Sequence, residues 1–217
     1  MQVGRARRIR EIYRRHNATR GADFIYGGEE RVTRIRQALP AAPTLVLDLG
    51  CRDGALAHAL GLDPARTVGV DIDLDALRTA RGSARLRPVA CDLWAGLPFK
   101  DGTFDVVLAG EILEHVPFPE VVLEEARRVL REGGVLVGSV PNAFRLKNRL
   151  RFLFGRPFED DPTHLHHFSP ATLFCTLERY FEEVSVKPCV GRLARFAPQL
   201  TSNDLVFFAR RSMTGDG

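Results

Sequence analysis

Short apolar runs alternate with amphipathic stretches along most of the chain. Five runs of three to six residues are too short for helices and are typical of strands buried on both faces. These runs lie at 45–47, 67–70, 85–90, 104–109 and 135–140. Helices are predicted before, between and after them, at 29–39, 55–60, 74–81, 120–130 and 170–180. Two final strands are predicted at 181–186 and 204–210. Strands that alternate with helices predict an α/β fold with a doubly wound, largely parallel sheet.

Acidic residues stand at the ends of the predicted parallel strands. Asp48, Asp71, Asp92 and Glu111 follow four successive strands. The carboxyl ends of parallel strands meet at one edge of the sheet, and ligands bind at that edge in folds of this class. We therefore expect these four positions to line one site.

A glycine-containing turn joins the first strand to the helix that follows it. The turn contains Gly50 and Gly54, but Arg52 stands where a dinucleotide-binding turn has its middle glycine. Such a turn brings backbone N–H groups and a helix N-terminus close to a ligand. Asp71, about 20 residues past the turn, is suitably placed to hold ribose hydroxyls. The pattern favours a nucleoside ligand without a pyrophosphate over NAD.

Size and composition narrow the class of protein. A chain of 217 residues predicts one α/β domain with modest additions. No stretch reaches the roughly 20 apolar residues needed to cross a bilayer, and the Arg-rich N-terminus lacks the apolar segment of a secretory signal. The cysteines form no Cys-x-x-Cys pair, which argues against a zinc site or a disulfide framework and predicts a cytoplasmic protein. They are Cys51, Cys91, Cys175 and Cys189.

The formal net charge of +4 is unevenly distributed. Residues 1–36 contain ten Arg and four acids, whereas residues 37–141 contain ten basic residues and fifteen acids. For the basic N-terminal part, we favour a solvated helix over a nucleic-acid contact, because the rest of the chain up to residue 141 is acidic.

Three parts of the chain are predicted to differ in role. An N-terminal helical arm covers residues 1–40, an α/β domain covers 41–211, and 212–217 form a tail. The arm begins with a charged helix at 3–17. Its following loop contains Phe24, Ile25 and Tyr26, which either close over a ligand or pack the arm down.

The alternating pattern stops after the fifth strand, where residues 142–168 form a predicted insertion. Leu146, Leu150, Leu153 and Phe154 have helical spacing, and basic residues lie between them. Three interpretations stay open: a lid over the ligand pocket, an ordinary packed amphipathic helix, or a helix that rests on a membrane surface or a partner.

Six motifs in a fixed order carry a family resemblance. They are Val-Leu-Asp-Leu-Gly-Cys (46–51), Gly-Val-Asp-Ile-Asp (69–73), Cys-Asp-Leu (91–93), Phe-Asp-Val-Val-Leu-Ala-Gly-Glu-Ile-Leu-Glu-His-Val (104–116), Arg-Val-Leu-Arg-Glu-Gly-Gly-Val-Leu (128–136) and Val-Pro-Asn (140–142). Over residues 41–210 the chain resembles class I S-adenosylmethionine (SAM) methyltransferases, in particular small-molecule enzymes related to the ubiquinone-pathway O-methyltransferases. Arg52 departs from the glycine of that family's first motif. The resemblance implies a Rossmann-like, seven-stranded sheet of order 3-2-1-4-5-7-6 with an antiparallel last strand.

The resemblance also implies how SAM is bound. Asp48 would organise the loop around the methionine portion, Asp71 would accept both ribose hydroxyls, and Asp92 would accept from the adenine amino group. The implied cofactor-binding residues are Asp48, Gly50, Cys51, Gly54, Asp71, Ile72, Cys91, Asp92, Leu93, Ala109 and Gly110.

Glu111, Glu114 and His115 are spaced i, i+3 and i+4, and they share one face if their segment is helical. The spacing resembles the Glu-x-x-Glu-His motif of metal-dependent O-methyltransferases, which add a later histidine. His164, His166 and His167 are available as that histidine, with His166 favoured, and the completed set would hold Mg²⁺. In the metal-free alternative, His115 is a hydrogen-bonding scaffold or a general base. The candidate catalytic residues are His115, Glu111, His164 and His167.

The favoured function is transfer of the SAM methyl group to a small-molecule acceptor, with oxygen as the acceptor atom. Residues 110–113 read Gly-Glu-Ile-Leu, which differs from the Asn/Asp-Pro-Pro-Tyr/Phe motif of nucleic-acid amino methyltransferases. Two alternatives are a non-catalytic SAM-fold protein that binds a partner and an RNA ribose 2′-O-methyltransferase. The identity of the acceptor stays open, as does the oligomeric state, including a homodimer.

Overall fold

The computed structural model describes most of the chain. The described residues are 11–15, 19, 21, 23–25, 27–83, 85–157, 161, 163–191 and 197–213. Residues 11–15 are helical and are called α1. The rest of the predicted helix 3–17, Tyr26, part of the predicted insertion and the end of the predicted tail lie outside the described residues.

Seven strands form one sheet in the order β3-β2-β1-β4-β5-β7-β6. Their bounds are β1 (Val46–Leu49), β2 (Thr67–Asp71), β3 (Arg87–Ala90), β4 (Phe104–Gly110), β5 (Leu130–Pro141), β6 (Glu182–Cys189) and β7 (Asp204–Arg210). The first five strands are parallel, and β7 runs antiparallel to both of its neighbours. The predicted α/β class, the strand order and the antiparallel last strand are confirmed.

Helices cover both faces of this sheet. Their bounds are α2 (Gly28–Ala38), α3 (Ala55–Leu60), α4 (Leu74–Gly82), α5 (Pro119–Val129), α6 (Leu146–Leu153), α7 (Pro170–Leu177) and α8 (Pro198–Thr201). None of the helices in the described residues is long and apolar enough to span a membrane.

Local sequence explains where individual helices begin. The side chain of Ser169 accepts from the backbone N–H of Thr172, and the Thr172 side chain accepts in return from the backbone of Ser169. This reciprocal pair satisfies N–H groups that the first turn of α7 leaves without helical partners. Pro170 and Pro119 occupy first-turn positions, where a missing N–H costs little.

The boundary between α5 and β5 differs from the one that the sequence pattern predicts. Gly133 and Gly134 are typical helix-ending residues, but α5 already ends at Val129 and β5 begins at Leu130. Leu130 has extended backbone angles and pairs with Phe104 in β4. The register then shifts so that Val106 pairs with Val135. The glycines therefore lie within an irregular start of the strand, because pairing with β4 extends past them.

The two faces of the sheet bury different clusters. Along β4, Val107 and Ala109 face the larger cluster, whereas Val106 and Leu108 face the smaller one. The smaller cluster is completed by Val32 and Ile35 of α2. The arm's second helix thus covers one face of the sheet, which brings the N-terminal segment to the edge where the parallel strands end.

Candidate active site

A cleft opens at the carboxyl ends of β1 to β4. Its walls include nine of the eleven residues that the sequence assigned to cofactor binding, and Gly54 and Ala109 are the two that do not line it. The nine are Asp48, Gly50, Cys51, Asp71, Ile72, Cys91, Asp92, Leu93 and Gly110. Parallel strand topology brings together residues that are up to 62 positions apart in the sequence.

The turn after β1 needs a glycine at position 50. Gly50 has a φ of +65°, a conformation that side chains rarely adopt. A Cβ there would also lie 2.6 Å from Cδ1 of Ile112. The absence of a side chain keeps this part of the cleft open between the β1 and β4 tips.

Arg52 takes a left-handed conformation without being glycine, with a φ of +49°. Its backbone N–H donates to Oδ2 of Asp71 over 2.9 Å. Its guanidinium pairs with Asp53 at 2.9 Å and donates to the carbonyl of Gly21. The residue that departs from the family motif therefore ties the turn to β2 and to the N-terminal segment.

Asp48 and Asp71 are buried carboxylic acids at neighbouring strand tips. Oδ2 of Asp48 has no hydrogen-bond partner among the described residues. Burial raises the pKa of Asp48 to about 7, and the nearby charge of Asp71 adds to this effect. Asp71 accepts from the backbone N–H groups of Arg52 and Asp73. Burial nevertheless raises the pKa of Asp71 to about 6, since those two hydrogen bonds only partly oppose it.

The third strand tip forms the other side of the cleft. Asp92 is half-buried, and its Oδ1 lies 3.4 Å from the backbone N of Trp94. Burial raises the pKa of the Cys91 thiol to about 11, which keeps it neutral at physiological pH. Ile72 and Leu93 supply apolar surface here. This combination of a carboxylate and apolar walls suits a planar polar ring.

The N-terminal segment contributes residues to the cleft, and one of them, Tyr13, was not predicted from the sequence. The hydroxyl of Tyr13 donates to the backbone carbonyl of His115 at 2.6 Å, and the two rings meet edge to face. Burial raises the pKa of Tyr13 to about 12. Phe24 and Ile25 also line the cleft, and Ile25 packs on the smaller core cluster. This loop was predicted either to close over a ligand or to pack the arm down. In the structure it lines the cleft and also packs on the core.

Glu111 does not share a face with Glu114 and His115, so this prediction was wrong. The segment after β4 forms turns instead of a helix, and Glu111 has a φ of +55°. Its Oε1 lies 2.9 Å from Nη1 of Arg31 and accepts from the hydroxyl of Ser139 at 3.0 Å. Arg31 comes from α2, and no local pattern in the sequence singled it out. Its burial opposite a strand-tip acid is visible only in the folded chain.

Asp204 lies buried at the start of β7, close to this ion pair. Burial, together with the nearby charge of Glu111, raises its pKa to about 8, while the charge of Arg31 opposes the rise. Gly27 packs against it, since a Cβ there would lie 2.6 Å from Oδ2 of Asp204. Two acids and one guanidinium therefore meet beneath the β4 and β5 tips.

His115 is buried and is held from one side by Thr163. Its Nδ1 lies 3.2 Å from the carbonyl oxygen of Thr163 and 3.0 Å from its hydroxyl. A carbonyl oxygen can only accept, so Nδ1 carries the proton in this arrangement. The ring of His164 lies edge-on at 4.7 Å between centroids.

The donors that converge differ from the predicted metal set. Glu114, His115 and His164 each place one ligand-type atom within 4.8 Å of the others. Glu111 is paired with Arg31, and Nε2 of His166 lies 3.2 Å from the carbonyl of Pro117. One carboxylate and two imidazoles do not fit Mg²⁺, which prefers oxygen ligands. His167 is not among the residues that line the cleft.

Parts of this chain are similar in sequence to known methyltransferases. Residues 47–138 match the family model Methyltransf_11, described as a methyltransferase domain. The ubiquinone biosynthesis O-methyltransferase of Albidiferax ferrireducens is 33% identical over 118 residues, which cover 52% of this chain and 47% of that protein. The mitochondrial ubiquinone biosynthesis O-methyltransferase of Homo sapiens is 31% identical over 170 residues, covering 71% of this chain and 46% of that protein. The chain spans about half the length of these relatives.

Solved structures share the fold. A SAM-dependent methyltransferase of Thermotoga maritima, described as a possible histamine N-methyltransferase, has a TM-score of 0.68 at 20% identity and covers 84% of this chain and 88% of its own. The [4+2]-cyclase SpnF has a TM-score of 0.62 at 15% identity and covers 84% of this chain and 80% of its own. Because a protein named as a cyclase shares the fold, the fold alone does not define the chemistry. The sequence match lies over residues 47–138, where this chain is similar to methyltransferase domains and to relatives that are named O-methyltransferases.

Proposed function

We propose that this chain transfers the methyl group of SAM to an oxygen atom of a small-molecule acceptor. The observation that carries the proposal is that Asp48, Asp71, Asp92 and the open turn at Gly50 line one shared cleft. When bound, SAM supplies a methyl group on a positively charged sulfur, so the protein has mainly to align the acceptor and remove its proton.

The residues of the cleft fit this cofactor. The buried Oδ2 of Asp48 lacks a hydrogen-bond partner among the described residues, and such an atom is costly unless a ligand supplies a donor. In the proposal it faces the ammonium group. Asp71 accepts the ribose hydroxyls, Asp92 receives the adenine amino group, and Gly50 leaves room for the methionine portion.

His115 is the proposed general base. Because Thr163 keeps the proton on Nδ1, Nε2 is the nitrogen that accepts a proton from the acceptor hydroxyl. Glu111 has a positioning role, since Arg31 and Ser139 already engage its Oε1. The choice of oxygen is supported by the relatives that are named O-methyltransferases.

The N-terminal arm, residues 1–40, acts in the proposal as a cover. Tyr13 and Phe24 lie over the cleft from outside the α/β domain. Covering the reacting groups excludes water and strengthens electrostatic interactions with the cofactor.

Thermal unfolding with SAM or S-adenosylhomocysteine tests the binding half of the proposal. A ligand at 100 times its Kd stabilises by about 2.7 kcal/mol, which predicts a rise in Tm of roughly 5–10 °C. Asp71→Asn should reduce the rise strongly, since losing a hydrogen bond to a charged group weakens binding about 10–150-fold. Asp75→Asn, on the exposed face of α4, is the matched control.

Formation of S-adenosylhomocysteine with hydroxyl-bearing small molecules tests the chemical half. Turnover with phenols or hydroxy acids, and none with their O-methylated counterparts, is the expected result. A Tm shift without turnover across such a panel would favour the non-catalytic alternative. The absence of any Tm shift would contradict the proposal outright.

A further inference from the structure

Helix α6 presents its apolar side chains to solvent. Its one buried residue is Asn148. Leu153 is 75% exposed and Leu150 46%. The remaining exposed apolar residues of this segment are Phe144, Leu146, Phe152 and Phe154. An amphipathic helix of a globular protein normally buries such a stripe, whereas here most of it is left uncovered.

Hydrogen bonds hold α6 in this orientation. The amide of Asn148 donates to the carbonyl of Ala143 at 2.9 Å, and its Oδ1 lies 3.4 Å from Nε of Arg145. Arg145 also donates to the side chain of Asn203. These polar contacts anchor α6 through Asn148 and Arg145, which leaves the leucines, the phenylalanines and most of the remaining basic side chains outward.

The same segment is strongly basic. Residues 143–157 contain five Arg or Lys and no Asp or Glu. Lys147, Arg149 and Arg156 are exposed, and none of them forms an ion pair with a described acid. Cations therefore flank the outward apolar stripe.

We propose that residues 144–156 form a docking surface for an anionic lipid bilayer. A helix with an apolar face and flanking Lys and Arg lies in the interface, where its apolar face is buried and its cations meet lipid phosphates. Each such cation strengthens binding about fivefold near an anionic surface. The surface follows the end of β5, at the sheet edge that also carries the cleft. The inference is independent of the acceptor and of turnover.

Charge argues against a second copy of the chain as the occupant. A two-fold interface through α6 would bring five basic residues of one copy against five of the other, and the next acids along the chain, at 159–161, lie outside the segment. An anionic surface offsets this charge.

Vesicle sedimentation tests the proposal. The full chain is mixed with phosphatidylcholine vesicles that contain either no anionic lipid or about one third phosphatidylglycerol. Binding to the anionic vesicles alone, weakened by added salt, is the expected result. Lys147→Gln combined with Arg149→Gln should weaken it about 30-fold. Leu153→Asn combined with Phe154→Asn should weaken it at least as much, because these side chains are the most exposed apolar groups of the segment.

Matched controls lie on other helices. Arg78→Gln with Arg81→Gln on α4 makes the same change in net charge, and Phe174→Asn on α7 removes another exposed aromatic ring. Both should bind vesicles like the parent chain. No binding to anionic vesicles, or equal loss in the controls, would overturn the proposal. So would concentration-dependent dimerisation that Phe154→Asn abolishes, which would identify a second copy as the occupant.

Discussion

The guanidinium of Arg31 and the carboxylate of Glu111 form a buried ion pair across 80 positions of sequence, with 2.9 Å between Nη1 and Oε1. Only 4% of the Arg31 side chain and 12% of the Glu111 side chain are exposed. The pair joins α2 of the arm to the tip of β4. It links the cover of the cleft to the strand that lies nearest the proposed methyl-transfer site.

Removing one partner of this pair should be strongly destabilising. Arg31→Met leaves Glu111 and Asp204 without their cation, and an uncompensated buried charge costs about 3–5 kcal/mol. Denaturant unfolding measures the loss. Arg31→Met with Glu111→Gln should cost less than the sum of the single changes, since the two residues are coupled. The exposed pair Arg78–Asp75 provides the comparison, and Arg78→Met should cost at most about 1 kcal/mol. Equal losses for Arg31→Met and Arg78→Met would contradict the buried pair.

Gly50→Ala should weaken SAM binding by more than its loss of folding stability explains. The φ of +65° costs about 1–2 kcal/mol for a residue with a Cβ, and the contact with Ile112 adds to it. Gly61 has a φ of +75°, and a Cβ at that position would meet nothing within 4 Å, so Gly61→Ala isolates the cost of φ. SAM binding, measured by calorimetry, should fall sharply for Gly50→Ala and stay unchanged for Gly61→Ala. Adding Ile112→Val to Gly50→Ala should partly restore SAM binding. Equal binding by Gly50→Ala and Gly61→Ala, with no effect of Ile112→Val, would contradict this account of the turn.

Asp48 should make the ligand-free protein less stable as pH rises. Burial raises its pKa to about 7 in the folded state, against 3.8 ordinarily. Between these values the folded protein holds a proton that the unfolded chain has lost, so the free energy of unfolding falls with increasing pH. The contribution is full below the ordinary pKa and is lost as pH rises through about 7.

Asp48→Asn should remove that slope. One proton corresponds to about 1.4 kcal/mol per pH unit, or roughly 3–6 °C in Tm for a chain of this size. The Tm of the variant relative to that of the parent chain should therefore rise by about that amount per pH unit between pH 4.5 and 7. Asp101→Asn, an exposed carboxyl, serves as the control. If Tm depended on pH in the same way for Asp48→Asn and the parent chain, the raised pKa of Asp48 would be refuted.

His115→Ala should lower kcat about 10²–10⁴-fold while the Kd for SAM changes little, because a general base acts on the chemical step. Stopped assays and calorimetry separate the two quantities. His58→Ala on α3 is exposed and should leave both unchanged. His164→Ala tests the assignment, since its ring touches His115. If His164→Ala alone abolished turnover, the base would have to be reassigned.

Chelation should leave turnover unchanged. The converging donors Glu114, His115 and His164 do not suit Mg²⁺, and Glu111 is engaged by Arg31. The measurement is the rate in excess EDTA and after addition of Mg²⁺. Activity that EDTA removed and Mg²⁺ restored would require a metal after all.

The strands and the strand-tip positions were predictable from sequence because they depend on local pattern, whereas the strand order was implied by the family resemblance. A short apolar run followed by Asp48 or Asp71 is a buried parallel strand with a ligand-type residue at its end, and topology then places such ends at one edge. The roles of individual motif residues depended on resemblance. The boundary at Leu130 was missed because pairing with Phe104 overrides the helix-ending signal of the glycines.

The α/β class, the strand-tip cleft and the residue types around it follow from the sequence alone. Three features became visible only in the folded chain: Arg31 engages Glu111, Tyr13 reaches His115, and α6 buries Asn148 while exposing its leucines. These depend on contacts between distant segments and on the rotation of a helix about its axis. Residue periodicity indicates that a helix has two faces, but which face is buried depends on the surface that the rest of the chain offers to it.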